Sequence, residues 1–248
     1  MIDLVLLYGA GLVAGTLNVI AGGGSLLTIP VLIFVGVPPT VANGTNRIAI
    51  LAQNVGATWA FHRRGLVERE WLRPALVPTL AGAVVGAYLA TEVSDEAFQR
   101  ILAGVMVVAA LWMLVRPPRA AVGDETASPS RARALLLSVA WFAVGVYGGF
   151  IQAGLGFVIL ALLSGAGLDL VRANAIKAAL VLAYTPIALG LFALQGLVDL
   201  GLGLALALGT LTGSQIGVHL TVLKGQEWVR RVVVVAVVVF ALRLWIAA

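Results

Sequence analysis

The chain has 248 residues, of which 61% are hydrophobic and only 11% are charged, and its mean hydropathy is +1.05. Soluble proteins are roughly 45–50% apolar and about 25% charged, so this composition excludes a soluble catalytic domain and indicates an integral membrane protein. The 16 Lys and Arg residues exceed the 11 Asp and Glu residues. In a membrane protein this excess is ordinarily the basic bias of cytoplasmic loops, and we do not take it as a sign of nucleic-acid binding. Cys is absent, which excludes disulfides and thiolate chemistry.

Ten apolar runs follow one another between charged or turn-forming residues. They cover residues 4–21, 25–36, 40–61, 72–90, 96–115, 134–153, 155–167, 171–194, 200–220 and 229–246. The chain begins Met1-Ile2-Asp3 without the basic region of a secretory signal, so the first run is expected to be a membrane segment of the mature protein. A helical span needs about 20 residues. We therefore predict an all-α, polytopic membrane bundle whose second and seventh segments are too short to span alone.

The chain divides into two similar halves, residues 1–115 and 134–248. Residues 116–133 between them are rich in Pro, Gly, Ser and charged residues, which is typical of a linker. An offset of 131 residues aligns Asn43 with Asn174, Asn46 with Lys177, Gly82 with Gly213, Gly86 with Gly217 and Arg100 with Arg231. One offset that holds at so many places indicates an internal duplication.

The basic residues predict opposite orientations for the two halves. With five crossings in each half, only Arg47, Arg100 and Arg243 lie outside, and the other 13 of the 16 basic residues lie in the cytoplasm. If the second and seventh runs are re-entrant hairpins instead, the split is nine inside and seven outside. The positive-inside rule favours five crossings per half, with both chain ends outside and the linker in the cytoplasm. The prediction is two inverted-topology repeats, the pattern of many secondary transporters.

Glycine-rich segments precede both short runs and form the first part of a candidate substrate site. Their residues are Asn18, Gly22, Gly23, Gly24 and Ser25 in half one, and Gln152, Gly154 and Gly156 in half two. Non-helical backbone within a membrane is tolerated only where it is buried in protein or lines a wet cavity. Glycine turns that open a helix are expected to leave backbone N–H groups unpaired, which suits an anion. Close helix packing is the alternative, and it is the preferred role of Gly82, Gly86, Gly213 and Gly217.

A polar helix face at the start of runs three and eight forms the second part of the candidate site. Its residues are Asn43, Thr45, Asn46 and Arg47 in half one, and Asn174 and Lys177 in half two. A charge inside the membrane is costly and by default functional, although a cation near a run end can instead reach the interface. Gln53 and Asn54 either line the same path or make an interhelical hydrogen bond.

Several activities find no support in the sequence. Asp3, Asp169 and Asp199 fall at predicted run ends, so a cation substrate would lack a counter-charge and the acidic relay of many proton pumps is missing. His62 and His219 have no neighbours that suggest a metal site. Nucleotide-binding and hydrolase motifs are absent from the sequence. We predict neither enzyme activity nor a cofactor.

The glycine-rich and polar motifs resemble the TauE/SafE sulfite exporter family of membrane permeases. In half one the resemblance lies in Gly11 to Pro30, with its three glycines, and in Ala42-Asn43-Gly44-Thr45-Asn46-Arg47. In half two it lies in Gly148-Gly149-Phe150 through Gly154-Leu155-Gly156, and in Arg172-Ala173-Asn174-Ala175-Ile176-Lys177. The resemblance implies a multi-pass protein of the bacterial inner membrane that exports sulfite or an organosulfonate-type anion.

The leading interpretation is a secondary transporter of a small anion that works by alternating access between inverted halves. Lys177 is then the main substrate-binding charge, while Arg47 faces the outer surface and steers anions. Two alternatives stay open: a permease for a carboxylate or neutral solute, and a non-transporting membrane subunit or channel. The expected partners are a small anionic substrate and the lipid bilayer, without nucleic acid; a coupling ion and a homodimer are compatible with the sequence.

Overall fold

A computed structural model describes residues 2–21, 23–115 and 131–223. These ranges form nine α-helices and no strand: α1 (Ile2–Ala21), α2 (Ser25–Phe34), α3 (Pro39–His62), α4 (Arg69–Thr91), α5 (Asp95–Val115), α6 (Arg131–Phe150), α7 (Leu155–Gly165), α8 (Leu170–Leu194) and α9 (Leu200–Leu223). They correspond in order to the first nine predicted runs. The predicted linker, apart from its last three residues in α6, and run ten lie outside the described residues.

The second and seventh helices are short, as predicted. α2 has 10 residues and α7 has 11, which is about 15 and 17 Å of helix against a hydrocarbon core of about 30 Å. Each follows a non-helical break, which includes Gly23 and Gly24 before α2 and residues 151–154 before α7. α6 ends at Phe150, three residues before the predicted end of run six, so Gln152 lies in the break itself.

The described residues contain three helices that are long and apolar enough to cross a membrane, judged by length and composition: Arg69–Thr91, Leu170–Leu194 and Leu200–Leu220. Shorter apolar helices cover Leu4–Val19, Ser25–Phe34, Ala134–Phe150 and Leu155–Gly165. α3 has 24 residues but carries several buried polar side chains. Large apolar side chains are exposed on α1, α4, α6 and α9, as expected where lipid is the solvent.

Glycines allow α1 and α9 to pack with their backbones in close approach. A Cβ atom on Gly213 would collide with the carbonyl oxygen of Leu12, and one on Gly217 would lie 2.7 Å from that of Thr16. The Thr16 hydroxyl also donates to the Gly213 carbonyl at 3.0 Å. Contact positions rise together along both helices, so α1 and α9 run in the same direction.

α4 and α6 pack in the same way. A Cβ atom on Gly82 would collide with the carbonyl oxygen of Phe142, and one on Gly86 with that of Val146. Again the positions rise together, so these helices are also parallel. The close-packing role predicted for Gly82, Gly86, Gly213 and Gly217 is confirmed.

α3 runs parallel to α9 and antiparallel to α8. Along α9, the Asp199 N–H donates to the Thr45 hydroxyl at 2.9 Å, and the Thr210 hydroxyl donates to the Ala49 carbonyl at 3.0 Å. Since α1 and α3 are both parallel to α9, the chain between them must return along the bundle through the break and α2.

α3 and α8 form the centre of the bundle. Near the start of α3, a Cβ atom on Gly44 would lie 3.0 Å from the ring of Phe192, near the end of α8. Farther along α3, Ala57 packs in a core cluster with Ala175, near the start of α8. The contact positions therefore rise along α3 as they fall along α8. This antiparallel pair brings the polar faces predicted at the start of both helices into the interior, near opposite ends of the contact.

Candidate functional site

Arg47 holds the carboxyl end of α6, and we call the residues involved the Arg47 cluster: Asn43, Arg47, Gly148, Gly149 and Gln152. Nη1 of Arg47 donates to the Gly148 carbonyl at 2.5 Å and to Oε1 of Gln152 at 2.8 Å. Nη2 donates to the Gly149 carbonyl at 2.8 Å and to Oδ1 of Asn43 at 3.4 Å. The last carbonyls of a helix lack intrahelical partners and carry partial negative charge, so they attract a buried cation.

Arg47 lies in the interior, and the prediction that it faces the outer surface is wrong. Its side chain is 0% exposed, and its guanidinium carbon lies 5.4 Å from the centre of the Phe192 ring. Asn43, one turn earlier on α3, donates to the Phe150 carbonyl at 2.8 Å and so binds the same helix end. Helix carbonyls and an aromatic face replace the water that the cation would otherwise seek at the interface.

Lys177 holds the carboxyl-terminal part of α1 in a second arrangement, the Lys177 cluster, formed by Asn18, Asn174 and Lys177. Its ammonium group donates to the Asn18 carbonyl at 2.8 Å and to Oδ1 of Asn174 at 2.7 Å. Nδ2 of Asn174 donates in turn to the Leu170 carbonyl at 3.0 Å. Lys177 is 3% exposed, so it too lies inside the protein and does not reach the interface.

The two clusters have the same construction. In each, a cation from the third helix of one half binds carbonyls near the end of the first helix of the other half, beside a helix break. Arg47 and Lys177 are 130 residues apart, as are Asn18 and Gly148. The sequence offset of 131 had paired Lys177 with Asn46, whereas the contacts pair it with Arg47.

The remaining polar residues at the start of α3 serve different neighbours. Oδ1 of Asn46 accepts a 2.6 Å hydrogen bond from the hydroxyl of Thr28 on α2. Thr45 accepts from the backbone N–H of Asp199 and therefore fixes the start of α9. Asn54 donates to the Ile50 carbonyl at 2.8 Å within its own helix, so this hydrogen bond is not an interhelical one.

The break before α2 uses its backbone N–H groups internally. Oδ1 of Asn18 accepts from the Gly24 N–H at 3.2 Å, while Leu26 and Leu27 donate to the carbonyls of Gly23 and Gly24 at 3.0 Å each. The expectation of unpaired donors is therefore wrong at these three N–H groups. Ser25 begins α2 and is buried, and Gly22 lies outside the described residues.

The break before α7 depends on left-handed backbone. Gln152 has φ +60° and Gly154 has φ +73°, a region that favours glycine. The Gln152 N–H donates to the Tyr147 carbonyl at 3.2 Å, and the Tyr147 hydroxyl donates to the Ala153 carbonyl. Gly156, the second residue of α7, is buried. These bonds give Gln152 the fixed position from which its side chain meets Arg47.

Buried charge in the described part of the chain is entirely positive. Its buried charged side chains are Arg47 and Lys177, and the ion pairs of that part involve other, more exposed residues. Buried polar atoms without a hydrogen-bond partner there include Nδ2 of Asn46, Nε of Arg47, Nε2 of Gln53 and the hydroxyl of Tyr184. An unpaired buried donor costs about 1–3 kcal/mol. A ligand with negative charge and several acceptor atoms would offset this cost.

The carboxylates have structural roles at helix ends. Asp169 accepts from the N–H groups of Val171 and Arg172 at 3.0 and 3.1 Å at the start of α8. Asp199 accepts from the Leu202 N–H at 2.9 Å at the start of α9. Within residues 2–21, 23–115 and 131–223, no three His, Cys, Asp or Glu side chains group closely enough to hold a metal ion.

Sequence reasoning missed two side chains and two backbone carbonyls in and beside the site. Tyr184 and Thr28 lie within apolar runs, and the carbonyls of Gly148 and Gly149 are backbone groups. An aromatic ring or a single threonine in an apolar run has no local pattern that separates it from the core. The helix-end carbonyls could have been found, because every helix end leaves such acceptors unpaired.

Comparison with known proteins identifies the class of molecule. The chain matches the sulfite exporter TauE/SafE family over residues 7–244 and belongs to it. This is a family of membrane transporters and not of enzymes.

Several relatives align over almost the whole chain. "Probable membrane transporter protein ORF9" of Sinorhizobium sp is 31% identical over 243 residues, covering 97% of this chain and 92% of the relative. "Probable membrane transporter protein YfcA" of Escherichia coli K12 is 31% identical over 243 residues, covering 97% and 89%. A "Probable membrane transporter protein" of Haemophilus influenzae is 29% identical over 234 residues, covering 94% and 90%. No solved structure matches the chain at a significant level.

Proposed function

We propose that the protein is a multi-pass secondary transporter of the inner membrane that exports a small anion, sulfite or an organosulfonate. The observation that carries the proposal is the buried pair of cations, Arg47 and Lys177, without a buried carboxylate in the described residues. In the same interior, N–H groups of Asn46, Arg47 and Gln53 on α3 lack an acceptor among the described residues. Charge and hydrogen bonding there favour an anion rich in oxygen acceptors over a cation.

The helix directions support two inverted halves. Residues 63–68 connect α3 to α4, and the seven steps from His62 to Arg69 extend at most about 25 Å, less than the core of about 30 Å. α4 therefore runs opposite to α3. Because α6 is parallel to α4, and α1 is parallel to α3, the first helices of the two halves run in opposite directions. The same directions favour five crossings per half over re-entrant hairpins.

The crossed clusters suggest how substrate binding is coupled to movement of the halves. Each cation belongs to one half and binds a broken helix end of the other, so a movement that separates these elements would lengthen the contacts. An anion beside Lys177 offers the ammonium group a replacement partner while the Asn18 contact lengthens. The glycine breaks lie at the same positions and allow the short helices to turn relative to α1 and α6.

In this proposal the candidate site comprises both clusters and the adjoining breaks. A coupling ion and a homodimer in the bilayer are both compatible with the proposal. Gradients of Na⁺ and H⁺ imposed separately on the transport assay would identify the ion. The mass of the purified protein in lipid nanodiscs would test the assembly.

The experiment that tests the function is flux of sulfite, thiosulfate, sulfoacetate and acetate in proteoliposomes containing the purified chain. We expect saturable flux of the sulfur oxyanions and little flux of acetate. Empty liposomes and liposomes with Lys177→Gln protein are the matched controls. Flux of acetate alone would instead support the carboxylate alternative, and a well-reconstituted chain that moves none of the four would contradict the proposal.

A further inference from the structure

Two buried polar side chains at the centre of the bundle each carry a donor without a partner in the described residues, and they belong to neither cluster. Tyr184 on α8 is 0% exposed and Gln53 on α3 is 1% exposed. The Tyr184 hydroxyl and Nε2 of Gln53 lack a hydrogen-bond partner in the described part of the chain. The two residues are 131 apart, the offset that aligns the two halves. An unpaired buried donor at both of two corresponding positions is not expected by chance.

Tyr184 lies beside the Arg47 cluster. A Cβ atom on Gly148 would be 2.8 Å from the Tyr184 hydroxyl, and the carbonyl of the same glycine accepts from Arg47. The four N–H groups on Nη1 and Nη2 of Arg47 have four acceptors, while Nε has none among the described residues. One cationic N–H and one neutral hydroxyl therefore remain unused at this place.

The repeat predicts that Gln53 lies beside the Lys177 cluster. Gln53 corresponds to Tyr184 at an offset of 131 residues, and Asn18 of the Lys177 cluster corresponds to Gly148 at an offset of 130. The ammonium group has three N–H donors and two protein acceptors. One N–H of the Lys177 ammonium group and the Nε2 group of Gln53 therefore have no acceptor among the described residues.

We infer that the transporter has two matched anion subsites, Arg47 with Tyr184 and Lys177 with Gln53, which one substrate ion occupies in succession. The inference rests on the proposed function and adds Tyr184 and Gln53 as residues that touch the substrate. Arg47 and Gln53 are six residues apart on α3, about 9 Å along the helix. We expect a small oxyanion to occupy one subsite at a time. It therefore moves from one to the other, and each subsite offers two donors to its oxygen atoms.

The test compares Tyr184→Phe and Gln53→Met, which remove only the donor and keep the volume. We expect each to raise the apparent KM for sulfite about tenfold, the loss of one hydrogen bond to a charged group. Each should also raise the melting temperature of the ligand-free protein, because an unpaired buried polar group is removed. Thr185→Val is the matched control: this neighbouring buried hydroxyl donates to the Val181 carbonyl of its own helix at 2.6 Å, so its KM should stay within about twofold.

The outcomes separate this inference from the proposed function. Wild-type flux with unchanged KM in both variants would overturn the subsites and leave the transporter in place. A change in one variant only would overturn the paired arrangement. If sulfite neither crosses with the wild type nor raises its melting temperature, both proposals fail. Gln53→Glu keeps the shape and adds negative charge, so it should abolish sulfite flux; normal flux in that variant would also count against the Lys177 subsite.

Discussion

Replacement of Arg47 by Gln should destabilise the whole protein and not merely slow transport. Four acceptors surround the two Nη atoms at 2.5–3.4 Å. A glutamine amide has two N–H donors and a shorter reach, so at least two acceptors lose their partner. Buried acceptors without a partner cost about 1–3 kcal/mol each. The expected loss is therefore about 2–6 kcal/mol, which brackets the 3–5 kcal/mol typical of breaking a buried charged pair.

Thermal unfolding in lipid nanodiscs, followed by tryptophan fluorescence, measures this loss. One kcal/mol shifts the melting temperature of a chain of this size by about 2–4 °C, so a drop of about 10 °C is expected. Arg47→Lys keeps the charge but offers three donors, and it should lose roughly half as much. The control is Arg100→Gln, whose exposed pairing with Glu96 is worth less than about 1 kcal/mol.

Ionic strength distinguishes a buried Arg47 from one at the surface. Salt screens exposed charges over about 8–10 Å and affects buried contacts much less. The deficit of Arg47→Gln should therefore be equal at low and high salt. A variant with wild-type melting temperature, whose flux recovers at high salt, would refute the buried contact and restore a surface steering role.

Three further predictions address the substrate, the break and the topology. Lys177→Gln should weaken sulfite affinity about 100-fold, since a charge pair at about 6 Å and an effective dielectric constant of 20 is worth about 3 kcal/mol. Asn46→Gln should have a smaller effect. Equal initial rates of sulfite flux in the two variants would place the anion elsewhere. Gly154→Ala should cost about 1–2 kcal/mol in thermal unfolding because φ is +73°, although the nearest atom to its Cβ is 3.5 Å away; an unchanged melting temperature would contradict this. Single-cysteine probes at Ser128 and Ala248 should label from opposite sides of the membrane, and labelling from one side would exclude five crossings per half.

The sequence by itself determined the features that depend on local pattern. Apolar runs located the nine described helices, and run length identified α2 and α7 as too short to span. Glycine spacing identified residues of close helix contacts, because a missing Cβ has the same consequence wherever two backbones approach. The sequence also identified Asn43, Asn174 and Lys177, because a polar side chain within an apolar run is costly unless it has a partner inside the protein.

Tertiary structure alone decided what the buried polar groups meet. Arg47 and its acceptors on α6 are more than 100 residues apart, and the same is true of Lys177 and Asn18. In the sequence, a cation near the end of an apolar run looks the same whether it reaches the membrane interface or binds the end of another helix. The difference lies in which helix packs across the centre, since a buried cation is stable only where acceptors from another part of the chain replace its water.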